Sequence, residues 1–502
     1  MVTVEQLDLG TEVDRILHRR PAVGLAVGVV RRGGLDLFAG RGLADIALRT
    51  PVVEDTVFRV GSLSKTFTAV AVMQLQEQGL LDLDSPVNDH LRAYRLIPAR
   101  TGWPPATVRH VLTHTAGIRE VQHPSGIARQ LFGETVPAGR RVPSPAEYYR
   151  HGLRVVAEPG SRFRYTDHGF TTLGQLVEDM TGEPFDHYLR EHVFGPLGMT
   201  DTDLGRSARI GARLATGYDL TTRGPTPHPD YEIVTTGAAA AYSTPRDIGR
   251  YLAALLGGGA NQYGAILGPG TLATMFAPQF RPDPRVPGVG LAFFRGDAGG
   301  RLVLEHQGVV PAFTSQIHLA PDAALGLVAF TNGTRNGGFW LPVETTALFG
   351  RLLGVPDETS RTDVPQHPEV WPELCGWYLL PGPLTDVRAR SMLGAGVEVL
   401  VRRGRLVFRC LGPVPALARG LPLRPDDPTD PYAFRVEVPA FDLTLRVVFG
   451  PDPATGTMAV HLDVMPLSAL KQPAATNPRR WALGVAAFGA TALALHRHRK
   501  PR

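Results

Sequence analysis

The chain has 502 residues, too many for one small hydrophobic core, and its 43% hydrophobic and 20% charged residues exclude bulk disorder. Its formal charge of +5 sits at one end: Arg479, Arg480, Arg497, Arg499, Lys500 and Arg502 carry six positive charges with no acid among residues 479–502, leaving −1 for the rest (+5 less six). A nearly neutral body excludes the basic stripe of a nucleic-acid binder, and two cysteines, Cys375 and Cys410, exclude a disulfide framework or a multi-cysteine zinc site.

The opening Met-Val-Thr-Val-Glu-Gln-Leu-Asp-Leu-Gly has neither the basic nor the apolar region of a secretory signal, so a cytoplasmic location is expected. Residues 20–60 read as short strands, with the apolar run Val23–Val30, a turn at Arg31-Arg-Gly-Gly34 and a return strand Leu35–Phe38 forming a β-hairpin. From Lys65 to Gln78 apolar residues cover most of a helical circumference, and Gly79 stands where a C-cap belongs, so this helix is expected at the centre of a domain. Further helices are expected near 107–113, 146–156 and 170–181. Another should start with Thr244 as N-cap, Pro245 at the first helical position and Asp247 at the third, and run to about Leu255.

Strand-like runs return at 288–294, 301–305, 314–319 and 325–331. Strands, then helices, then strands fit an α/β (α+β) fold in which an antiparallel sheet built from both chain ends packs against an inserted helical region. Beyond about 360 the pattern becomes Pro-rich turns and short alternating segments, such as Val397–Val401, Leu406–Phe408 and Leu443–Phe449. The expected organisation is a domain over 1–360, an all-β domain over 361–470, and a linker and basic-flanked tail over 471–502. Within that tail Trp481–Leu495 is an Ala- and Gly-rich apolar stretch of 15 residues, short of the roughly 20 that span a bilayer. It reads as a frayed or surface-packed helix, with peripheral membrane contact as the alternative. The two cysteines, beside strand-like sequence, read as buried free thiols, with one disulfide as the alternative.

Chemistry concentrates at Phe58-Arg-Val-Gly-Ser62-Leu-Ser-Lys65. A serine hydroxyl needs a neighbouring base and a prepared oxyanion site to act as a nucleophile. Residues three apart share a helical face, so Ser62 can touch Lys65 whereas Ser64 is turned away. Apolar flanks should desolvate the lysine and favour its neutral, proton-accepting form. Taken alone, Ser-x-x-Lys reads as a plain N-cap followed by a solvated first-turn lysine.

Other segments add to it: Leu112-Thr-His-Thr-Ala-Gly117, Phe163-Arg-Tyr165-Thr-Asp167-His-Gly-Phe170, Gly195-Pro-Leu-Gly-Met199, and His306-Gln-Gly308 followed by Asn332. With these, residues 15–355 resemble the serine β-lactamase and penicillin-binding-protein superfamily, in its class C β-lactamase, D,D-peptidase and esterase branch. Leu374-Cys-Gly-Trp-Tyr378 looks like the opening of the β-rich C-terminal domain that some relatives carry. The resemblance implies Ser62 as the acylated nucleophile, Lys65 and Tyr165 as its proton-transfer partners, and the backbone N–H groups of Ser62 and Val309 as the oxyanion hole. It further implies Asp167, His306 and Gly308 as substrate-binding positions. A phenol beside an ammonium can share one proton with it, so the chemistry is sensible on its own terms.

Two positions depart from the family pattern. Asp167 replaces an Asn and is expected to ion-pair with Lys65, raising its pKa and moving the base role toward Tyr165. His306 replaces a Lys, so the cation for a substrate carboxylate is mostly lost at pH 7. An ester, amide or peptide is therefore the expected small-molecule substrate, with a true β-lactamase or D,D-carboxypeptidase as the alternative and a scaffold of the same fold as a third. The 16 histidines show no metal-ligand spacing, and there is neither a Gly-x-Ser-x-Gly elbow nor a phosphate loop. No metal and no cofactor are expected. His114 reads as a loop histidine satisfying backbone groups, against a role as proton relay or ligand.

Overall fold

The computed structural model describes residues 8–479 except 32, 121–133, 335–339, 357–360, 383–393, 395, 411, 413–414 and 440–441. The described residues of 1–359, 382–387 and 463–467 form one compact unit, and those of 360–381, 388–462 and 468–502 form the other.

The first unit is built on a seven-stranded antiparallel sheet that joins both of its ends. It begins with α1 (Leu9–Arg19), β1 (Gly24–Arg31), β2 (Gly34–Asp45) and the two-residue β3 (Thr50–Pro51). Then come α2 (Ser64–Glu77), α3 (Asp167–Thr181) and α4 (Pro245–Leu256), followed by β4 (Phe294–Ala298), β5 (Arg301–Val310), β6 (Phe313–Ala320), β7 (Leu325–Thr331) and α5 (Trp340–Leu352). The strand order is β4-β5-β6-β7-β1-β2-β3. β1 therefore lies at the interior of the sheet beside β7, with Leu25 opposite Thr331 and Arg31 opposite Leu325.

Both faces of these central strands are covered, which is why Val23–Val30 is a continuous apolar run rather than an alternating one. Leu25, Val27 and Val29 pack with Leu9, Val13 and Ile16 of α1 and Leu341 and Leu348 of α5. Ala26, Val30, Val328 and Phe330 pack into the larger core with α2, α3 and α4. Odd and even residues of β1 alternate between the two sets, and a bulge in the neighbouring β2, where Val29 pairs with Leu37 and Val30 with Leu35, leaves Asp36 as the extra residue.

The helix expected over Lys65–Gln78 is α2, buried from Ser64 to Leu75 as its all-round apolar sequence requires. It ends where expected, with Gly79 at φ +72 and the N–H of Leu80 returning to the carbonyl of Leu75 at 2.9 Å. α4 also starts as read: the Thr244 hydroxyl accepts the Asp247 N–H. Two expectations are corrected. Only Pro145–Tyr148 of 146–156 is helical and Leu153–Val155 is a strand, because Gly152 turns the chain at φ +77. Residues 288–293 are not a strand, since Gly288 at φ +77 and Ala292 at φ +65 break the extended run before β4.

The second unit is a nine-stranded antiparallel sheet: β8 (Gly376–Leu379), β9 (Val397–Arg402), β10 (Arg405–Cys410), β11 (Leu421–Pro422), β12 (Arg424–Asp427), β13 (Asp430–Val438), β14 (Leu443–Pro451), β15 (Met458–Leu462) and β16 (Ser468–Gln472). Its order is β11-β10-β9-β8-β16-β15-β14-β13-β12. Leu374–Tyr378 does open this sheet. The expected linker starts too early, however, because Lys471 and Gln472 belong to β16 and pair with Tyr378 and Trp377 of β8. Cys375 and Cys410 are free thiols, and burial pushes the Cys410 thiol up to about 12. The apolar stretch 481–495 lies outside the described residues, and no described helix is long and apolar enough to cross a membrane.

Candidate active site

The residues before Ser62 are held by backbone pairing. Phe58 and Arg59 pair with Ser243 and Tyr242, and the Val60 N–H donates to the Ala241 carbonyl at 3.0 Å. The Arg59 guanidinium lies 4.1 and 4.7 Å from the ring centroids of Tyr231 and Tyr242 and donates to the Tyr231 carbonyl and Asp230. From β6 the Ser315 hydroxyl donates to the Val60 carbonyl at 2.7 Å. Gly61 then takes φ +53, and the tight turn Gly61–Leu63 runs straight into α2. A β-carbon at Gly61 would sit 3.2 Å from the backbone nitrogen of Val309, and one at Gly308 would sit 2.1 Å from the Val60 carbonyl and 3.0 Å from the Ser62 nitrogen. Two glycines thus let the Ser62 turn and β5 meet backbone to backbone, bringing the N–H groups of Ser62 and Val309 to one seam.

Ser62 is 8% exposed, and its Oγ accepts a hydrogen bond from Lys65 Nζ at 2.9 Å. The three-residue spacing brings the two together as read. Lys65 is completely buried and also donates to Asp167 Oδ1 at 2.6 Å and to the Ala238 carbonyl at 3.0 Å. Burial by itself favours the neutral amine, as the apolar flanks suggested. The charges of Asp167 and Tyr165 outweigh it and hold the Lys65 pKa above its ordinary value, so the ion pair expected of Asp167 prevails over the neutral form that the apolar flanks favour. Ser64 plays a different part, since its hydroxyl donates to the Gly61 carbonyl at 2.7 Å and accepts the Ala241 N–H at 3.0 Å.

Tyr165 reaches the same pair from the loop that precedes α3. Its ring centroid is 4.9 Å from Lys65 Nζ, and its hydroxyl is a hydrogen-bond partner of Lys65. One face of the ring stacks on His114 at 4.3 Å, and Phe294 lies near-parallel to the ring at 6.4 Å. Asp167 is delivered to Lys65 because Thr166 caps α3, its hydroxyl accepting the His168 N–H, so that Asp167 is the first helical residue. Asp167, 4% exposed, is thereby paired with Lys65.

On β5, His306, Gly308 and Val310 share the buried face while Gln307 and Val309 alternate with them. Gly308 belongs to the contact with Val60 and Ser62 described above. The His306 Nδ1 faces the Gln307 carbonyl at 2.8 Å, so this nitrogen carries the ring proton and Nε2 keeps its lone pair. Burial, reinforced by the Lys65 charge, pushes His306 down to about 3, so it is a neutral acceptor at pH 7. Asn332 plays a structural part: its amide donates to the carbonyls of Leu43, Ala44 and Thr216. Sequence reasoning missed Ser315, the Ala238 carbonyl and Phe294; none lies within a recognisable spacing, although Ser315 could be sought as the strand partner of Gly308. Among the described residues no group of His, Cys, Asp and Glu side chains could hold a metal ion.

The profile of the Beta-lactamase family matches residues 13–344. A human protein called putative beta-lactamase-like 1 is 25% identical over 430 residues, 78% of this chain and 79% of its own length. Esterase EstB of Burkholderia gladioli is 33% identical over 191 residues, 38% of this chain and 48% of its own, so about half of that relative is matched. The octameric penicillin-binding protein homologue from Pyrococcus abyssi superposes with a TM-score of 0.61 at 22% identity, covering 93% of this chain and 100% of that one, which shows a shared fold.

Proposed function

The chain belongs to the beta-lactamase family, and on that premise we propose that it is a serine hydrolase that forms an acyl-enzyme at Ser62, acting on esters or amides without a charged carboxylate beside the scissile bond. The observation that carries this reading is the chain of contacts in which Lys65 joins Ser62 at 2.9 Å and Asp167 at 2.6 Å with Tyr165 as a further partner.

The proton path follows from the charge on Lys65. Because Asp167 keeps Lys65 an ammonium, Lys65 has no lone pair for the Ser62 proton and donates to Ser62 Oγ instead. In the reactive form of the pair Tyr165 is the phenolate beside the Lys65 ammonium, so its oxygen receives the Ser62 proton as Oγ bonds to the substrate carbonyl carbon, and Lys65 offsets the charge that moves through the tyrosine. The carbonyl oxygen becomes an oxyanion, received by the N–H groups of Ser62 and Val309. When the tetrahedral adduct collapses, Tyr165 returns the proton to the departing alkoxide or amine. Water then attacks the acyl carbon, gives its proton to Tyr165, and Ser62 leaves with it.

Substrate preference follows from two replacements. Asp167 puts a carboxylate, already bound to Lys65, where a neutral donor would otherwise greet the substrate, and His306 offers a lone pair in place of a cation. Both features oppose an anionic substrate group, and EstB is an esterase by name. The test is intact-protein mass spectrometry after a fluorophosphonate, with Ser62→Ala as control, followed by p-nitrophenyl acyl esters against nitrocefin. A single adduct lost in Ser62→Ala, with ester turnover and no nitrocefin turnover, is expected. Nitrocefin turnover would make the protein a β-lactamase, and absence of any adduct would make it a scaffold.

A further inference from the structure

His114 is 2% exposed and holds φ +56, a left-handed backbone that a non-glycine residue adopts at a cost. Its contacts converge on three consecutive residues. The His114 carbonyl accepts the Arg164 N–H at 2.6 Å, its Nδ1 accepts the Thr166 N–H at 3.3 Å, and its ring stacks at 4.3 Å and 29° on the residue between them, Tyr165. Phe163 and Phe170 pack around the same imidazole at 5.6 and 4.9 Å.

No other common side chain meets all three demands. Phenylalanine can stack but cannot accept the Thr166 N–H, and asparagine tolerates the left-handed backbone and can accept but has no ring. With Nδ1 as acceptor, the ring proton belongs on Nε2, so the imidazole is held in one tautomer as it supports the tyrosine. The Thr166 N–H that it takes belongs to the residue that caps α3 and so places Asp167 on Lys65. One histidine therefore sets both the Tyr165 ring and the start of the helix that carries the lysine's counter-ion.

We propose that His114 is the positioning residue of this site, fixing the Tyr165 hydroxyl at the Ser62–Lys65 pair by clamping residues 164–166 and stacking under the ring; the claim rests on the acyl-enzyme reading above. It acts on the reaction through Tyr165. Its loss should therefore reduce kcat and leave KM in place.

The test compares His114→Asn, which keeps the backbone tolerance and an acceptor, with His114→Phe, which keeps a ring, so that failure of one to fold leaves the other readable. For p-nitrophenyl acetate, kcat should fall roughly 10- to 100-fold in either variant, the range expected when a reacting group shifts by about 1 Å, with KM within about twofold. A crystal structure of His114→Asn should show the Tyr165 ring displaced from its place beside Lys65. A kcat within twofold of wild type in a folded variant, or Tyr165 unmoved, would overturn the proposal. Fluorophosphonate labelling of wild-type Ser62 decides the acyl-enzyme reading separately. If labelling is absent, the Tyr165 position in the variant crystal still decides the role of His114.

Discussion

Lys65 and Asp167 form a buried ion pair, Nζ to Oδ1 at 2.6 Å, with the lysine side chain wholly inaccessible and the aspartate 6% exposed. Burial alone would discharge the lysine, yet the carboxylate and Tyr165 hold its pKa above the usual 10.5. A raised folded pKa gives stability that is fully present below the unfolded value and is lost only as pH rises through the folded one, so the pair is intact throughout the neutral range. Removing one partner strands the other. Asp167→Ala should lower the unfolding free energy by ~3–5 kcal/mol in urea titrations at pH 7, and Asp167→Asn should cost less because it keeps a hydrogen bond. An unchanged urea midpoint for Asp167→Ala would show that the pair is not formed in solution.

Gly308→Ala tests the seam between β5 and the Ser62 turn. The added methyl would meet the Val60 carbonyl at 2.1 Å and the Ser315 hydroxyl at 2.3 Å, so one backbone must retreat. A loss of ~1–3 kcal/mol in stability is expected, together with a fall in ester kcat of roughly 10²-fold as the Val309 N–H leaves the oxyanion position. Wild-type kcat in this variant would remove Val309 from the site.

The two serines should separate cleanly. Ser62→Ala should abolish fluorophosphonate labelling and lower kcat by roughly 10⁶-fold while folding normally. Ser64→Ala should still label at residue 62 but lose ~1–3 kcal/mol of stability, since the buried Ala241 N–H forfeits its acceptor. Peptide mapping of the adduct, with thermal unfolding of both variants, reads both outcomes.

His306 gives a signed pH prediction. Its folded pKa is depressed from 6.5 to about 3 by burial and then by Lys65, while Asp167 pulls the other way. Stability from the neutral imidazole is present above 6.5 and is lost as pH falls toward 3, about 2 kcal/mol of it by pH 5. Urea unfolding at pH 7 and pH 5 should therefore show a drop that is smaller by about that amount in His306→Gln. An equal drop in both proteins would mean that His306 is solvated.

Much of the fold was legible because its signals are local. The run Val23–Val30 announced the first strand of a hairpin, the all-round apolar Phe67–Leu75 a buried helix, and Thr244-Pro245 a helix start, and each of these depends on neighbours within a few residues. Readings failed where the deciding fact was a single backbone angle: Gly152 ended the expected helix over 146–156, and Ala292 at φ +65 interrupted the expected strand over 288–294. Lys471 was read as linker because a final strand can be recognised only from the partner it pairs with, Tyr378, many residues earlier.

The candidate site divides along the same line. Spacing alone placed Ser62 and Lys65 on one helical face, since three residues make nearly one turn, and it singled out Ser62 over Ser64. Spacing could not say whether Lys65 is charged, because burial and the Asp167 carboxylate push in opposite directions and only their distances decide which prevails. Nor could it assign His114 a role in positioning, because the contact with Tyr165 joins residues 51 positions apart in a folded loop. Short-range geometry is written into consecutive residues, whereas the balance between desolvation and charge depends on through-space distances that exist only once the chain has folded.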